Sequence, residues 1–390
     1  IKPGGNGGGW VDTYGGRYLD RYAEQLWLTL FAKAPEITLF DFGQMLRQIR
    51  PAERAPWQGQ QTSFDYDAMM APVVQPDGSS VKPTTYARAA GYTLEKVDAF
   101  LGSLGRPVGL KSYKPYHSTG EDFLHTYLGN AGIPIDLVPE FPHEAPTVLL
   151  TECAAFDPAI VGKIKKQLTD GKSVVITSGL LRALQGKGIE DIAEIRYTDR
   201  KARIRSFRGQ PQLPADLHIL IPQIQYLTND AWELVSGMTQ NDLGYPLLVQ
   251  AGYGKGTLYV LTVPENFSDL YSFPAQILTQ IRNVLLKDLY VRIESPGDVS
   301  LFVYDNDTFI VQSYLPESVD VRISLDPKFL KIKELTGGGE FAAQASGGGA
   351  GFGGFSPGGG KRSVFPVRLK PHSYLVVSAV AQRTSGAGSR

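Results

Sequence analysis

Between Arg17 and Lys33 (RYLDRYAEQLWLTLFAK) the apolar positions recur at helical spacing. Tyr18, Leu19, Tyr22, Ala23, Leu26, Trp27, Leu30 and Phe31 make two adjacent rows, a wide apolar stripe on one side of a predicted helix. Pro35 ends that helix, and Ile37 to Phe42 (ITLFDF) reads as a short buried strand of the parallel type. Such a strand needs neighbours on both edges. The residues before the helix are rich in glycine and read as a loop, Gly4 to Gly15. Helix and strand therefore read as the tail of a repeating helix–strand architecture whose earlier strands this chain does not carry.

The pattern then loosens. Gly43 to about Pro83 is irregular, with Pro51, Pro56, Pro72 and Pro76, yet it carries Trp57, Phe64, Tyr66, Met69 and Met70 and is too apolar for a free linker. Thr93 to Leu104 (TLEKVDAFLGSL) predicts a second helix that stops at Gly105. From Pro107 to Leu286 strands and helices alternate. Pro107 to Tyr113, Ile135 to Val138, Thr147 to Thr151 and Ser173 to Thr177 read as strands. Ser118 and Glu121 match a capping box for a helix running to Asn130, and Asp157 with Pro158 opens another that closes at Gly171. The alternation predicts a mostly parallel sheet with helices on both faces. Pro246 to Val263 departs from it as a hairpin, and Phe273 to Leu286 closes the segment as a helix.

Beyond Tyr290 the pattern is of strands alone: VSLFVYD, TFIVQSYL, DVRISL, FLKIKEL, VFPVRL and SYLVVSAV, the signature of an antiparallel sandwich. Gly337 to Gly360 is a glycine-rich excursion within it, and AQRTSGAGSR reads as a frayed tail. The division is thus 1–106, 107–288, 289–380 with an insertion at 337–360, and a tail at 381–390.

Charge changes the picture only by exclusion. Lys plus Arg and Asp plus Glu number 39 each, so no global field draws the chain to nucleic acid or an anionic membrane. The basic run Arg196 to Arg208 reads as a solvated hairpin face. A single cysteine, Cys153, excludes an intrachain disulfide and a cysteine-rich metal site. No apolar run approaches the ~18 residues that cross a bilayer. A start at Ile1 in place of Met reads as a processed or trimmed N-terminus.

The order of segments (the end of a helix–strand barrel, an alternating α/β unit, a small β unit) resembles the family 42, β-galactosidase-type glycoside hydrolases and related barrel glycosidases. The resemblance implies the C-terminal part of a (β/α)8 barrel, a flavodoxin-like, amidotransferase-like domain and a C-terminal β-sandwich. Arg17 to Lys33 then corresponds to the seventh barrel helix, Ile37 to Phe42 to the eighth strand and Thr93 to Leu104 to the closing helix. It further implies a carbohydrate substrate, no cofactor and no metal. The implied partners are further copies of this chain, as a trimer, or a chain carrying the rest of the barrel. The family's two catalytic glutamates end the fourth and seventh strands, and neither strand is read in this sequence, so no catalytic residue is assigned here. A retaining glycosidase needs its two carboxylates about 5–5.5 Å apart, so the chain by itself is expected to be inactive. The alternative is a non-catalytic carbohydrate-binding or scaffolding protein that keeps the same domains.

Barrel sites sit at the carboxyl ends of strands. On this mapping the substrate-binding candidates are Trp10, Asp12 and Tyr14 in the glycine-rich loop, Asp41 and Gln44 after the strand, and Trp57. Trp10 and Trp57 offer faces on which a sugar ring can stack, or pack locally. Asp41 offers a carboxylate to a sugar hydroxyl, or caps the following turn. Cys153 lacks the flanking glycines of a nucleophile elbow (Thr151-Glu152-Cys153-Ala154-Ala155), and His218, in DLHILIPQ, reads as part of a strand and not as its partner. It reads as a buried inert thiol. His117, between the first strand and first helix of the middle unit, reads as a local hydrogen-bond partner. Gly252 to Gly256 (GYGKG) joins two strands and reads as a hairpin turn and not a phosphate loop. His125, His143 and His372 are too scattered for a metal site.

Overall fold

A computed structural model describes residues 7–13, 16–227, 229–344 and 361–381. The predicted first helix is present as Leu19–Phe31 and the strand after it as Glu36–Phe40. The glycine-rich opening corrects the sequence reading. Gly8–Asp12 is a strand, paired in parallel with Glu36–Phe40 from Gly8 opposite Glu36 to Asp12 opposite Phe40. Its glycines answer to packing: a Cβ on Gly9 would lie 2.0 Å from Thr29 Cγ2, so only glycine lets the helix lie this close. Strand, helix and strand form one parallel crossover unit. Val11, Ile37 and Leu39 join the helix in an apolar cluster, and by alternation Trp10, Asp12, Thr38 and Phe40 belong to the opposite face.

The irregular segment holds short helices, Phe42–Met45 and Tyr66–Met69, and a small hairpin, Val73–Val74 with Ser80–Val81. Phe64, Tyr66 and Met69 are buried against the first helix's cluster, which is why its composition is too apolar for a linker. The second helix is Tyr86–Leu101, starting seven residues before the expected Thr93, because Tyr86, Ala89 and Ala90 extend its apolar stripe.

The middle of the chain forms an eight-stranded mixed sheet. Its order is Ser206–Phe207, Ala231–Met238, Gly244–Tyr253, Gly256–Leu261, Ser173–Thr177, Thr147–Leu150, Leu110–Tyr113, Ile135–Val138. The last five strands are parallel and the first four antiparallel to their neighbours. Alternation along the central strands splits the core cleanly. Leu149 and Val175 face helices Leu124–Asn130 and Ala275–Leu285, while Val148, Leu150, Val174 and Ile176 face Ile160–Thr169 and Ser178–Leu184. The capping box at Ser118 is not realised: the helix begins at Leu124, and Glu121 turns back over the sheet edge with φ 48. The basic run lies mostly on strand Ile195–Ile204, paired with Ile219–Tyr226 in a separate two-stranded sheet, and ends past Ser206–Phe207 of the eight-stranded one.

The C-terminal strands make two antiparallel sheets. Val291–Glu294, Val319–Leu325 and Ser363–Leu369 form the smaller, and six strands including Val299–Tyr304, Thr308–Ser313, Phe329–Glu334 and Tyr374–Ala381 form the larger. One apolar cluster, with Phe309, Val311, Phe365 and Val377, draws on both. The expected strand from Pro107 is divided: Pro107–Val108 joins the six-stranded sheet and Leu110–Tyr113 the eight-stranded one. Gly109 marks the transfer, since a Cβ there would lie 2.7 Å from the Pro134 carbonyl oxygen. The glycine-rich excursion beyond Gln344 and the predicted tail beyond Ala381 lie outside the described residues.

Arg282 joins these units. It is 1% exposed, and its guanidinium donates to the carbonyls of Ala131 (2.8 Å), Ile293 (3.3 Å), Ser295 (2.8 Å) and Pro296 (3.2 Å). Burial pushes its pKa down to about 9, which leaves it charged at neutral pH. The guanidinium thus ties the closing helix to the end of helix Leu124–Asn130 and to the entry of the C-terminal strands. Arg282→Met keeps the volume and strands four buried carbonyls, so a loss of about 3 kcal/mol or more is expected, read as a lower urea midpoint by circular dichroism.

Candidate functional site

The parallel pair Gly8–Asp12 and Glu36–Phe40 positions the candidate site. Its carboxyl edge carries Asp12 and Thr13 on one strand and Asp41 on the other, one step beyond the Asp12–Phe40 pair. On the face turned away from the helix, Trp10 is 67% exposed and its indole stacks on Phe40, with centroids 5.1 Å apart and rings 27° from parallel. Phe42, 79% exposed, follows on the same edge. A parallel pair is ordinarily covered on both faces, and here one face presents aromatic rings to solvent.

Asp41 starts helix Phe42–Met45 by accepting from the Gln44 amide at 3.0 Å, and the Gln44 side chain lies 3.4 Å from the buried Thr13 hydroxyl. Asp12 and Gln44 each have an interaction partner. Tyr14 lies outside the described residues. The structure thus brings Trp10, Asp12, Asp41 and Gln44 to one edge.

Trp57 is placed differently. Its indole N–H donates to Asp20, one ring face stacks on His372 at 4.3 Å and its edge meets Tyr18 at 5.2 Å. It anchors the irregular segment on the first turn of helix Leu19–Phe31. Around it lies a buried polar group that the sequence reading missed. Asp20 is 2% exposed, and its Oδ1 has no hydrogen-bond partner among the described residues. Burial pushes its carboxyl up, with Glu24 adding to the rise, while Trp57, His372 and Arg21 oppose it. Arg21 donates to Glu24 Oε2 at 2.9 Å and to His372 Nδ1 at 2.7 Å. Gln312 links Glu24 (3.4 Å) to the Trp27 indole N–H (3.1 Å). The one local signal was the i, i+4 pair Asp20 and Glu24 beside the apolar stripe. Their partner His372 stands 351 positions from Arg21, beyond any local pattern.

Cys153 is fully buried, 3.0 Å from the Thr151 hydroxyl. His218 precedes a strand of the other, two-stranded sheet and takes a hydrogen bond from Arg203. Gly252 to Gly256 is a hairpin turn with Gly254 at φ 59. Among the described residues no cluster of His, Cys, Asp and Glu is placed to hold a metal, and no helix is long and apolar enough to cross a membrane.

A mixed α/β chain with this order of sheets is similar in fold to barrel glycoside hydrolases. Family comparison agrees. Residues 1–103 match the model described as probable glycosyl hydrolase, catalytic domain, and residues 290–379 that described as probable glycosyl hydrolase, C-terminal domain. Residues 105–266 match the second domain of uncharacterized protein SSO3021. Among solved structures the chain is similar in fold to β-galactosidase from Bacillus circulans sp. alkalophilus, with TM-score 0.51, 12% identity, and coverage of 93% of this chain and 52% of that one. It is likewise similar to α-L-fucosidase isoenzyme 2 from Paenibacillus thiaminolyticus, with TM-score 0.52, 12% identity, and coverage of 96% and 60%. The chain therefore spans between half and three fifths of the length of these structures. No curated protein matches it. The resemblance to barrel glycoside hydrolases drawn from segment order holds.

Trp57→Phe removes the donor to Asp20 and leaves a buried carboxyl without it; the expected cost is about 1–3 kcal/mol by urea denaturation. Cys153 is expected to resist iodoacetamide in the native state and to label quickly in urea, followed by mass spectrometry.

Proposed function

We propose that this chain is the C-terminal portion of a glycoside hydrolase acting on glycosidic bonds of oligo- or polysaccharides. The observation that carries it is the open face of the parallel pair, where Trp10 and Phe40 stack beside Asp12 and Asp41 at the carboxyl edge. Parallel strands exposed in this way are completed by further strands, and completing them would enclose that aromatic face in a barrel. On this reading Gly8–Asp12 is the seventh barrel strand. That amends the expectation that the seventh strand is missing: on this reading it is the strand Gly8–Asp12, whose terminal carboxylate is Asp12 in place of a glutamate. Trp10 provides the stacking surface for a sugar ring, Asp41 holds a hydroxyl, Asp12 stands as the seventh-strand carboxylate, and the glutamate of the fourth strand belongs outside this chain. The eight-stranded unit is the amidotransferase-like domain and the two C-terminal sheets the β-sandwich, and the assembled protein is an oligomer.

The names of the similar structures make β-galactosides and α-L-fucosides the first substrates to try. The isolated 390-residue chain is expected to release no nitrophenol from either class. Fused to the preceding barrel strands of a relative, it is expected to gain turnover, with Trp10→Ala lowering kcat/KM about tenfold through lost ring stacking. Turnover by the isolated chain would overturn the reading. A completed barrel that binds sugar without cleaving it would favour a carbohydrate-binding scaffold.

A further inference from the structure

The parallel half of the eight-stranded sheet has its own carboxyl edge, where sheets of this kind receive ligands. That edge is occupied. Glu121, from the loop after Leu110–Tyr113, extends its carboxylate over the ends of two adjacent strands, Thr147–Leu150 and Ser173–Thr177. Oε2 accepts from the Glu152 amide at 2.8 Å and the Thr177 hydroxyl at 2.5 Å, and Oε1 accepts from the Gly179 amide at 3.2 Å. The Thr177 oxygen is itself held in place, accepting from the Leu180 amide at 3.3 Å.

Two further observations show that the surroundings are shaped to this group. A Cβ on Gly179 would lie 2.3 Å from Glu121 Oε1, so the absence of a side chain there makes the room the oxygen uses. The loop that delivers the carboxylate is also held in costly backbone conformations. His117 (φ 62), Glu121 (φ 48) and Phe123 (φ 69) all lie in the left-handed region, with Gly120 at φ 118 between them. Such a path persists only where its contacts over-determine it. Glu152 is in turn fixed through its side chain, which accepts from Arg182 at 2.8 Å. Burial pushes the Glu121 carboxyl up, while Thr177 and the Glu152 and Gly179 amides pull against it.

We propose that this edge is a carboxylate-binding site for which Glu121 is a tethered, built-in ligand, and that once emptied it takes a small free carboxylate such as formate or acetate. The donors specify the class: they address both oxygens of one carboxylate, two on Oε2 and one on Oε1. With Glu121 in place the edge is closed to outside ligands and works as a clasp between the loop and two strands. The inference does not depend on the glycosidase reading.

Glu121→Gly tests it, since glycine adopts φ 48 freely and the loop can keep its path while the cradle empties. Sodium formate or acetate is expected to raise the variant's thermal midpoint saturably above matched sodium chloride and to leave the wild type on the chloride curve. The double variant Glu121→Gly/Gly179→Ala, with a methyl 2.3 Å from where Oε1 now sits, is expected to bind formate at least about tenfold more weakly, followed by carbon-13 formate line broadening. Formate acting no better than chloride on a cooperatively folded Glu121→Gly chain would overturn the proposal. Phosphate acting as well as formate would overturn the carboxylate assignment. Should Glu121→Gly not fold, Glu121→Gln decides: its amide must point an N–H at a donor, so a lowered midpoint is expected and wild-type stability would refute the site.

Discussion

Burial of helix Leu19–Phe31 on two sides at once is the constraint on which the rest of the molecule depends. One side takes Val11, Ile37 and Leu39 of the parallel pair, and the other takes Tyr304, Ile310 and Val376 of the six-stranded sheet, all in one apolar cluster. Phe31 sits at the crossing, edge-on to Phe302 and Tyr374 at 5.4 and 5.2 Å, and its carbonyl accepts from the Tyr304 hydroxyl at 2.8 Å. Polar groups on the same helix are buried with it and linked to Gln312 of strand Thr308–Ser313 and to His372 in the turn before Tyr374–Ala381. A buried polar string is costly when misaligned, so it selects one orientation of the helix against the sheet. That orientation leaves the far face of the strand pair, with Trp10 and Phe40, turned outward.

The three units are therefore not beads on a string. Gly109 passes one extended segment from the six-stranded sheet into the eight-stranded one, and Arg282 gathers carbonyls from both sides of the second boundary. Apolar burial holds each unit together, but the joints are built from hydrogen bonds to backbone carbonyls, which fix direction as well as distance. This frame presents two carboxyl edges of parallel strands. One is open and aromatic, and the other is filled by Glu121.

Much of the fold was legible in the chain. Ser173–Thr177 and Ile135–Val138 stand where the apolar runs put them, and helices Leu19–Phe31 and Ala275–Leu285 differ from their predicted spans by one or two residues at each end. Each is decided by periodicity within a few neighbours. The misses share one cause. Gly8–Asp12 was read as loop because glycine signals flexibility locally, whereas Gly9 answers to Thr29 across the packing interface. Glu121 matched a capping box three residues after Ser118, but donors from residues 152, 177 and 179 outcompeted the local helix start. Of the candidate site, the sequence placed Asp41 and Gln44 together by adjacency. That Trp10 and Asp12 share their edge followed only from strand register.

The sequence by itself determined most of the helices and strands after the glycine-rich opening, the neutral charge balance and the buried character of Cys153, because these depend on spacing, composition and short-range preference. The tertiary structure alone decided which face of the first strand pair is open, that Trp57 is committed to Asp20 and His372, and that Glu121 occupies a sheet edge. Those outcomes rest on partners tens to hundreds of positions apart, and no local pattern encodes a contact whose energy is realised only after the chain has closed on itself.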